Sequence, residues 1–154
     1  GALDTACNTI KRLNNFIQRL IRFIPGDGHA DVDQLLYDIR KGFAEAMDDD
    51  FNISEALACV FEFVRKTNIS LTRKQLNMKQ RDMILDTMKG INSILRIMNF
   101  EEETLSGDAS RLMEERKKAR TAGDWKKSDH LREELSAMGI IIHDTPEGMV
   151  WTLK

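Results

Sequence analysis

Four amphipathic stripes in the first hundred residues restrict what this chain can fold into. In each stripe the apolar side chains recur at steps of three and four, which places them on one face of an α-helix. Isolated helices of this length are marginal in water, so each apolar face must be buried against a neighbouring helix. With short connections between them, the stripes predict a four-helix antiparallel bundle over residues 1–100.

Local signals place the ends of these helices. Pro25 and the residues after it end the first helix, and Asn52 or the serine two positions later is expected to cap the third. A loop near Asn68 is expected to end the third helix. Thr72 and Gln75 have the spacing of a capping box, which predicts the start of the fourth. The expected helices cover residues 3–24, 31–48, 54–66 and 72–98.

Some side chains in this region invite a chemical interpretation, but a structural one fits them better. Cys7 lies on the first apolar stripe, so we interpret it as a small core residue and not as a nucleophile, and we interpret Cys59 in the same way. Asp48-Asp49-Asp50 could suggest a cation site, but consecutive side chains diverge and cannot converge on one ion. We interpret this run as a helix boundary.

The composition is typical of a globular protein of one domain, or of a medium domain with a small appendage. Among 154 residues, 42% are hydrophobic and 31% are charged, with a formal net charge of -2. No apolar run reaches the roughly 20 residues of a membrane helix, no signal peptide opens the chain, and two distant cysteines favour a reducing compartment. We therefore expect a cytoplasmic protein. The chain opens without Met and inside a helical pattern, so we also expect it to be a piece of a longer polypeptide.

The sequence pattern changes after the fourth stripe. Residues 101–109 are charged and contain Ser and Gly, which indicates a linker. Residues 110–154 predict two short helices, separated at Gly123, and then a β-hairpin whose Ile141 and Trp151 are expected to pack on the helix pair. The predicted fold class is therefore mainly α: a four-helix antiparallel bundle followed by a small domain of two short helices and a β-hairpin.

Positive charge is concentrated in the helix pair of this small domain. Residues 111–132 contain eight Lys or Arg against four Asp or Glu, although the whole chain is slightly acidic. A nucleic-acid site, if the chain has one, must therefore be local.

Two groups of residues occur together in a known family. The first is Leu112-Met113-Glu114-Glu115-Arg116-Lys117-Lys118-Ala119-Arg120, Asp124-Trp125, Asp129, Leu131-Arg132, Leu135, Met138-Gly139-Ile140, Asp144-Thr145-Pro146-Glu147-Gly148 and Trp151. The second is Met47-Asp48-Asp49-Asp50-Phe51-Asn52, then Glu55-Ala56-Leu57 and Phe61-Glu62-Phe63-Val64-Arg65. In this order they resemble the C-terminal region of bacterial cysteinyl-tRNA synthetases, which are class I cysteine–tRNA ligases.

The resemblance implies that the bundle is an anticodon-binding domain and that the small terminal domain contacts the anticodon of cysteine tRNA. It places the anticodon-reading residues at Arg120, Trp125, Asp129, Arg132 and Asp144. These types suit splayed single-stranded bases, which are read by stacking on flat side chains and by hydrogen bonds to their edges. The neighbouring lysines are expected to contact phosphates without reading sequence: Lys117, Lys118, Lys126 and Lys127.

The resemblance also implies a catalytic domain, with its substrates and metal, in the parent enzyme. Such ligases activate cysteine with ATP in a catalytic domain that carries a His-Ile-Gly-His type signature, a Lys-Met-Ser-Lys-Ser type loop and a zinc site. This sequence contains neither signature, and its three histidines are scattered. We therefore assign no catalytic residue, metal or cofactor to this chain, and we expect it to be inactive alone. We expect it to be a monomer whose partner is tRNA.

Two alternatives remain open from the sequence. The long apolar seam of the fourth stripe, Ile84 to Met98, could bind a partner helix, which would make the chain a protein-interaction module without an RNA role. The chain could also belong to a paralogue of the ligase that acts on a small molecule. Burial of the seam inside the bundle would argue against the first alternative.

Overall fold

A computed structural model describes residues 1–146 and 148–153; Glu147, in the predicted turn, and the terminal Lys154 lie outside the described residues. The chain divides into two compact units, Gly1–Glu102 and Glu103–Lys154. The helices of the first unit are α1 (Ala2–Ile21), α2 (Val32–Asp48), α3 (Ile53–Thr72) and α4 (Met78–Leu95). The second unit contains α5 (Gly107–Thr121), α6 (Trp125–Ala137), β1 (Ile140–Thr145) and β2 (Gly148–Leu153).

The four helices of the first unit share one hydrophobic core. Both α1 and α2 pack against α3 and α4, and each helix contributes fully buried side chains. The seam predicted on α4 belongs to this core, since Ile84 and Met88 are completely buried and Ile91 is nearly so. The mainly α fold is confirmed, and the seam is not available to a partner helix.

The boundary between α3 and α4 differs from the prediction. The expected loop near Asn68 and the expected helix start at Thr72 are both wrong, because α3 continues through these residues to Thr72. Asn77 caps α4 instead: its side chain accepts a hydrogen bond from the backbone N of Gln80 (2.9 Å), and Gln80 Oε1 accepts one from the backbone N of Asn77 (3.0 Å). The sequence contains two neighbouring capping-box patterns, at 72–75 and at 77–80, and the later one forms.

The first half of α1 also differs from the prediction. Leu3, Cys7 and Ile10 are exposed, and the core covers this helix only from Leu13 onward. The interpretation of Cys7 as a core residue is therefore wrong. Cys59 does pack against the core, and burial raises the pKa of its thiol, with nearby glutamates acting in the same direction.

The acidic run forms the connection between α2 and α3. Asp50 and Phe51 both have positive φ angles, and Asn52 caps α3 by accepting a hydrogen bond from the backbone N of Glu55 (3.1 Å). The predicted helix boundary is therefore confirmed. Within residues 1–146 and 148–153, no group of three or more His, Cys, Asp or Glu side chains could hold a metal ion.

In the second unit the hairpin lies against the helix pair. Gly139, with φ of +85°, ends the α6 segment, and the chain then enters β1. Ile140 and Ile142 are buried against the helices, together with a partly buried Trp151, which pairs with Ile142 in the register. Since side chains alternate across a strand, Ile141 faces away from that core, and the predicted contact of Ile141 is wrong.

The helix pair begins earlier than expected. Ser106 caps α5 by accepting a hydrogen bond from the backbone N of Ala109 (3.2 Å), so the helix starts inside the predicted linker 101–109. Asp124 caps α6, as the sequence predicts. No helix in the described part of the chain is long and apolar enough to cross a membrane.

The cap at Asn77 gives a test of the corrected boundary. We expect Asn77→Ala to lower the free energy of unfolding by about 1 kcal/mol, because it leaves the backbone N–H of Gln80 without its acceptor. Urea unfolding followed by circular dichroism measures this change. The matched control is Lys79→Ala, an exposed substitution in the same turn. Equal stability of the two variants would show that Asn77 does not cap the helix.

Candidate nucleic-acid interface

The carboxylate of Asp144, near the end of β1, is the centre of the polar site in the second unit. Its Oδ1 accepts a hydrogen bond from Arg116 Nη1 (2.9 Å), and its Oδ2 accepts from Arg116 Nη2 (3.0 Å) and from Arg120 Nη1 (3.1 Å). The pair with Arg116 is bidentate, which is the strongest geometry for an arginine and a carboxylate. Asp144 therefore ties the hairpin to α5.

Arg116 reaches Asp144 from the buried side of α5. It follows Leu112 by four residues and precedes Ala119 by three, so all three lie on the buried face of the helix. Its side chain is only 1% exposed, and Nη1 also lies 2.8 Å from the sulfur of Met149. A charged group occupies a position that the helical pattern would otherwise give to an apolar residue.

The surrounding arginines change the acidity of Asp144. The hydrogen bond from Arg116 lowers the pKa of the carboxyl below its ordinary value, and the charges of Arg116, Arg120 and Arg132 act in the same direction. Partial burial opposes them without reversing the shift. Asp144 is therefore ionised at neutral pH, and the cluster carries one negative charge among three positive ones.

Arg120 joins this cluster to an exposed aromatic ring. Its guanidinium carbon lies 5.6 Å from the centre of the Trp125 ring, which is within the range of a cation–π contact. Gly123, with φ of +73°, and the bond from Asp124 N to Ala119 O (2.8 Å) bring the start of α6 beside the end of α5. Trp125 remains 58% exposed, so much of its surface is free to contact a ligand.

A cavity of about 440 Å³ opens between α5 and the hairpin. Its charged lining residues are two cations, Lys117 and Arg120, and two carboxylates, Glu114 and Asp144. Its walls therefore offer both cations and carboxylates to a polar ligand.

The two other residues with predicted base contacts lie on α6. Trp125, Asp129 and Arg132 are spaced by four and three residues, so they share one helix face. Arg132 Nη2 donates a hydrogen bond to the backbone O of Ile142 (3.0 Å). This bond holds the Arg132 guanidinium beside β1. Asp129 is exposed on the same face.

The four lysines with predicted phosphate contacts do not lie together. Lys117 lines the cavity, whereas Lys118 lies about 160° around α5 from Arg120 at 100° per residue. On α6, Lys126 and Lys127 lie about 100° and 160° from Trp125. All four are exposed, but the structure brings only Lys117 to the site among these described lysines.

Sequence reasoning did not single out Arg116 as a site residue. The available signal was its position, since it continues the apolar stripe of Leu112 and Ala119 on a helix that the sequence does predict. A cation on such a stripe requires a buried acceptor. The spacing alone could not identify Asp144 as that acceptor, because the two residues are 28 positions apart.

Comparisons with known proteins place both units in one family. The model of the DALR domain matches residues 42–100, and the model of the cysteinyl-tRNA ligase anticodon binding domain matches residues 102–151. The two matched segments follow one another and together cover most of the chain.

Curated relatives agree with these matches. A cysteine–tRNA ligase of Protochlamydia amoebophila (strain UWE25) is 37% identical over 150 residues, which are 95% of this chain and 31% of that protein. Another, of Leptospira interrogans (strain Fiocruz L1-130), is 37% identical over 157 residues, 97% of this chain and 33% of that protein. One of Thermodesulfovibrio yellowstonii is 30% identical over 170 residues, covering 100% of this chain and 35% of that protein. The chain thus spans about a third of the length of these relatives.

The Asp144 cluster predicts a specific dependence of stability on pH. At pH 7 we expect Asp144→Asn to lower the free energy of unfolding of the second unit by about 3 kcal/mol, because it leaves the buried Arg116 charge without its counterion. The folded-state pKa of Asp144 is depressed, so its contribution is present above the unfolded pKa of about 3.9 and is lost as the pH falls through the folded value. The difference between wild type and variant should therefore shrink below about pH 4.

Tryptophan fluorescence measures this difference, since both tryptophans, Trp125 and Trp151, lie in the second unit. Arg116→Met should remove most of the pH-dependent difference, and Arg120→Ala a smaller part, because the bond from Arg116 is the largest cause of the shift. A difference between wild type and Asp144→Asn that is constant from pH 7 to pH 2 would contradict this account.

Proposed function

The chain belongs to the cysteine–tRNA ligase family, and we propose that it serves as the tRNA-binding C-terminal region of such a ligase. In this proposal the second unit reads the anticodon of cysteine tRNA. Aminoacylation with ATP and cysteine, and any zinc site, belong to parts of the ligase outside this chain. We further propose that the chain acts as a monomer in the cytoplasm.

The observation that carries the proposal is the position of Arg120 between an ionised carboxylate and an exposed indole. Sequence-specific RNA recognition uses unstacked bases, which lie against aromatic or guanidinium planes and present their edges to polar groups. Arg120 and Trp125 supply the planes, and both occur with Asp144 in one cluster. The combination suits a base better than it suits a phosphate alone.

The carboxylate of Asp144 keeps capacity for an RNA contact. A carboxylate offers about four acceptor positions, and the described hydrogen bonds occupy three of them. The remaining position on Oδ1 suits a base that presents an amino or imino N–H. We propose that Asp144 reads such a group, and that Asp129 and Arg132 contact neighbouring bases from the same face of α6.

Local charge supports an anionic ligand. Arg116, Arg120 and Arg132 surround Asp144, and the adjacent cavity adds Lys117 and Glu114, so four cations face two carboxylates. A ligand with phosphates gains from this excess of positive charge, although the whole chain has a net charge of -2. We propose phosphate contacts for Lys117, Lys118, Lys126 and Lys127.

The stacking role of Trp125 can be tested by substitution. We expect Trp125→Ala to weaken binding of cysteine tRNA roughly 5- to 150-fold, since stacking of one base contributes about 1–3 kcal/mol. Fluorescence anisotropy of labelled tRNA measures the change. The matched control is Tyr37→Ala in the first unit, since Tyr37 is also 58% exposed and its ring also lies near a cation, here Lys41. Equal losses in the two variants would exclude a specific role for Trp125.

Base reading is tested by the anticodon itself. Wild-type protein should bind cysteine tRNA more tightly than the same tRNA with a scrambled anticodon at equal salt concentration. Equal affinity would exclude anticodon reading by this chain, even if tRNA binds.

The proposed phosphate contact of Lys117 predicts an effect on tRNA affinity that does not depend on the anticodon sequence. We expect Lys117→Ala to weaken cognate and scrambled tRNA equally and to reduce the slope of log affinity against log salt by about 0.7 to 1. The same titration on variants of the other three lysines ranks their contributions. Lys11→Ala, an exposed lysine of α1, is the control. An unchanged slope for Lys117→Ala would remove this residue from the phosphate contacts.

A further inference from the structure

We propose that Arg116 is a positioning residue for RNA recognition, which acts by fixing Asp144 and, through it, the exposed guanidinium of Arg120. This inference rests on the proposed RNA-binding function and adds to it a residue that cannot itself touch RNA. Arg116 is only 1% exposed, so any effect of this side chain on RNA must pass through the residues that it contacts.

The geometry of the bidentate pair sets the orientation of the carboxylate. Each terminal nitrogen of Arg116 donates to a different oxygen of Asp144, at 2.9 and 3.0 Å. Two parallel hydrogen bonds between planar groups hold both oxygens in place, whereas a single bond would leave the carboxylate free to rotate. The position of Oδ2 therefore follows from the buried Arg116.

The same Oδ2 determines where Arg120 lies. It accepts from Arg116 Nη2 at 3.0 Å and from Arg120 Nη1 at 3.1 Å, so the two guanidinium groups share one oxygen atom. Arg120 is a long side chain, 37% exposed, that would otherwise sample many rotamers. Held by Oδ2 on one side, it lies 5.6 Å from the Trp125 ring on the other. The stacking surface is thus formed before RNA binds, which reduces the entropy lost on binding.

Stability alone does not explain a charge at position 116. Buried ion pairs are often no more stabilising than apolar side chains of similar volume, and Arg116 lies on an otherwise apolar face between Leu112 and Ala119. Its Nε is buried and has no hydrogen-bond partner within the described part of the chain, so the guanidinium is not fully satisfied. The arrangement instead fixes two charged groups, the Asp144 carboxylate and the Arg120 guanidinium, at the edge of the cavity.

A double-mutant cycle separates positioning from a general structural role. The probe is an RNA hairpin with the anticodon stem and loop of cysteine tRNA, bound to the full chain. Arg116→Lys keeps the charge but lacks the two-nitrogen fork, so we expect it to weaken binding about tenfold when Arg120 is present. In an Arg120→Ala background we expect a clearly smaller further loss, about threefold or less, because the contribution through Arg120 is gone and only the contact of Asp144 itself still depends on Arg116.

Each outcome of the cycle decides the proposal. Equal losses in the two backgrounds would show that Arg116 does not act through Arg120 and would overturn the proposal, and no loss with Arg120 present would exclude positioning altogether. Tryptophan emission and thermal unfolding establish that the second unit is folded in every variant. If Arg116→Lys does not fold, Arg116→Gln replaces it, since its neutral amide is easier to bury and can still donate one hydrogen bond to Asp144.

The wild-type titration keeps this proposal distinct from the function on which it rests. Wild-type protein that binds neither the cognate hairpin nor one with a scrambled loop would overturn the proposed function and this inference with it. Wild-type protein that discriminates between the hairpins, but whose variants lose affinity additively, would overturn the positioning role alone.

Discussion

The ion pair between Arg116 and Asp144 joins the two halves of the second unit. One partner comes from the buried face of α5 and the other from the end of β1, so the pair fixes the hairpin on the helix. A two-stranded hairpin is marginal by itself in water, and its apolar contacts here come mainly from Ile140 and Ile142 at one end. At the other end of the strands, beside the turn, the ion pair joins the hairpin to α5.

The same pair links packing to recognition. Because Asp144 is held from the buried side by Arg116, its remaining acceptor capacity and its bond to Arg120 are presented at the surface. The tight connection at Gly123 then brings Trp125 within 5.6 Å of Arg120. An aromatic plane, a cation and a carboxylate from three different elements therefore form one chain of contacts, and the cation and the carboxylate line a cavity.

The periodicity of the sequence was sufficient to predict the helices, since an apolar face at helical spacing depends only on local residues. It was insufficient to predict which part of an apolar face is buried, because burial depends on which other elements pack against that face. Leu3 and Cys7 continue the stripe of α1 and yet are exposed. It was also insufficient where two local signals compete, as for the capping boxes at Thr72 and Asn77. The choice there depends on α3, which continues through Asn68, whose side chain accepts a hydrogen bond from Arg19 in α1 (2.9 Å).

For the candidate site, the sequence predicted residue types but not their connections. Arg120, Trp125 and Asp144 were chosen from a resemblance, and the structure places them in contact as a chain of neighbours. Arg116 was overlooked because its partner is distant in sequence and its position looks like part of an apolar face. Long-range ion pairs of this kind leave no periodic signal. A cation within a predicted apolar stripe is the local sign that such a partner exists, and Arg116 is such a cation, buried beneath the site and paired with Asp144.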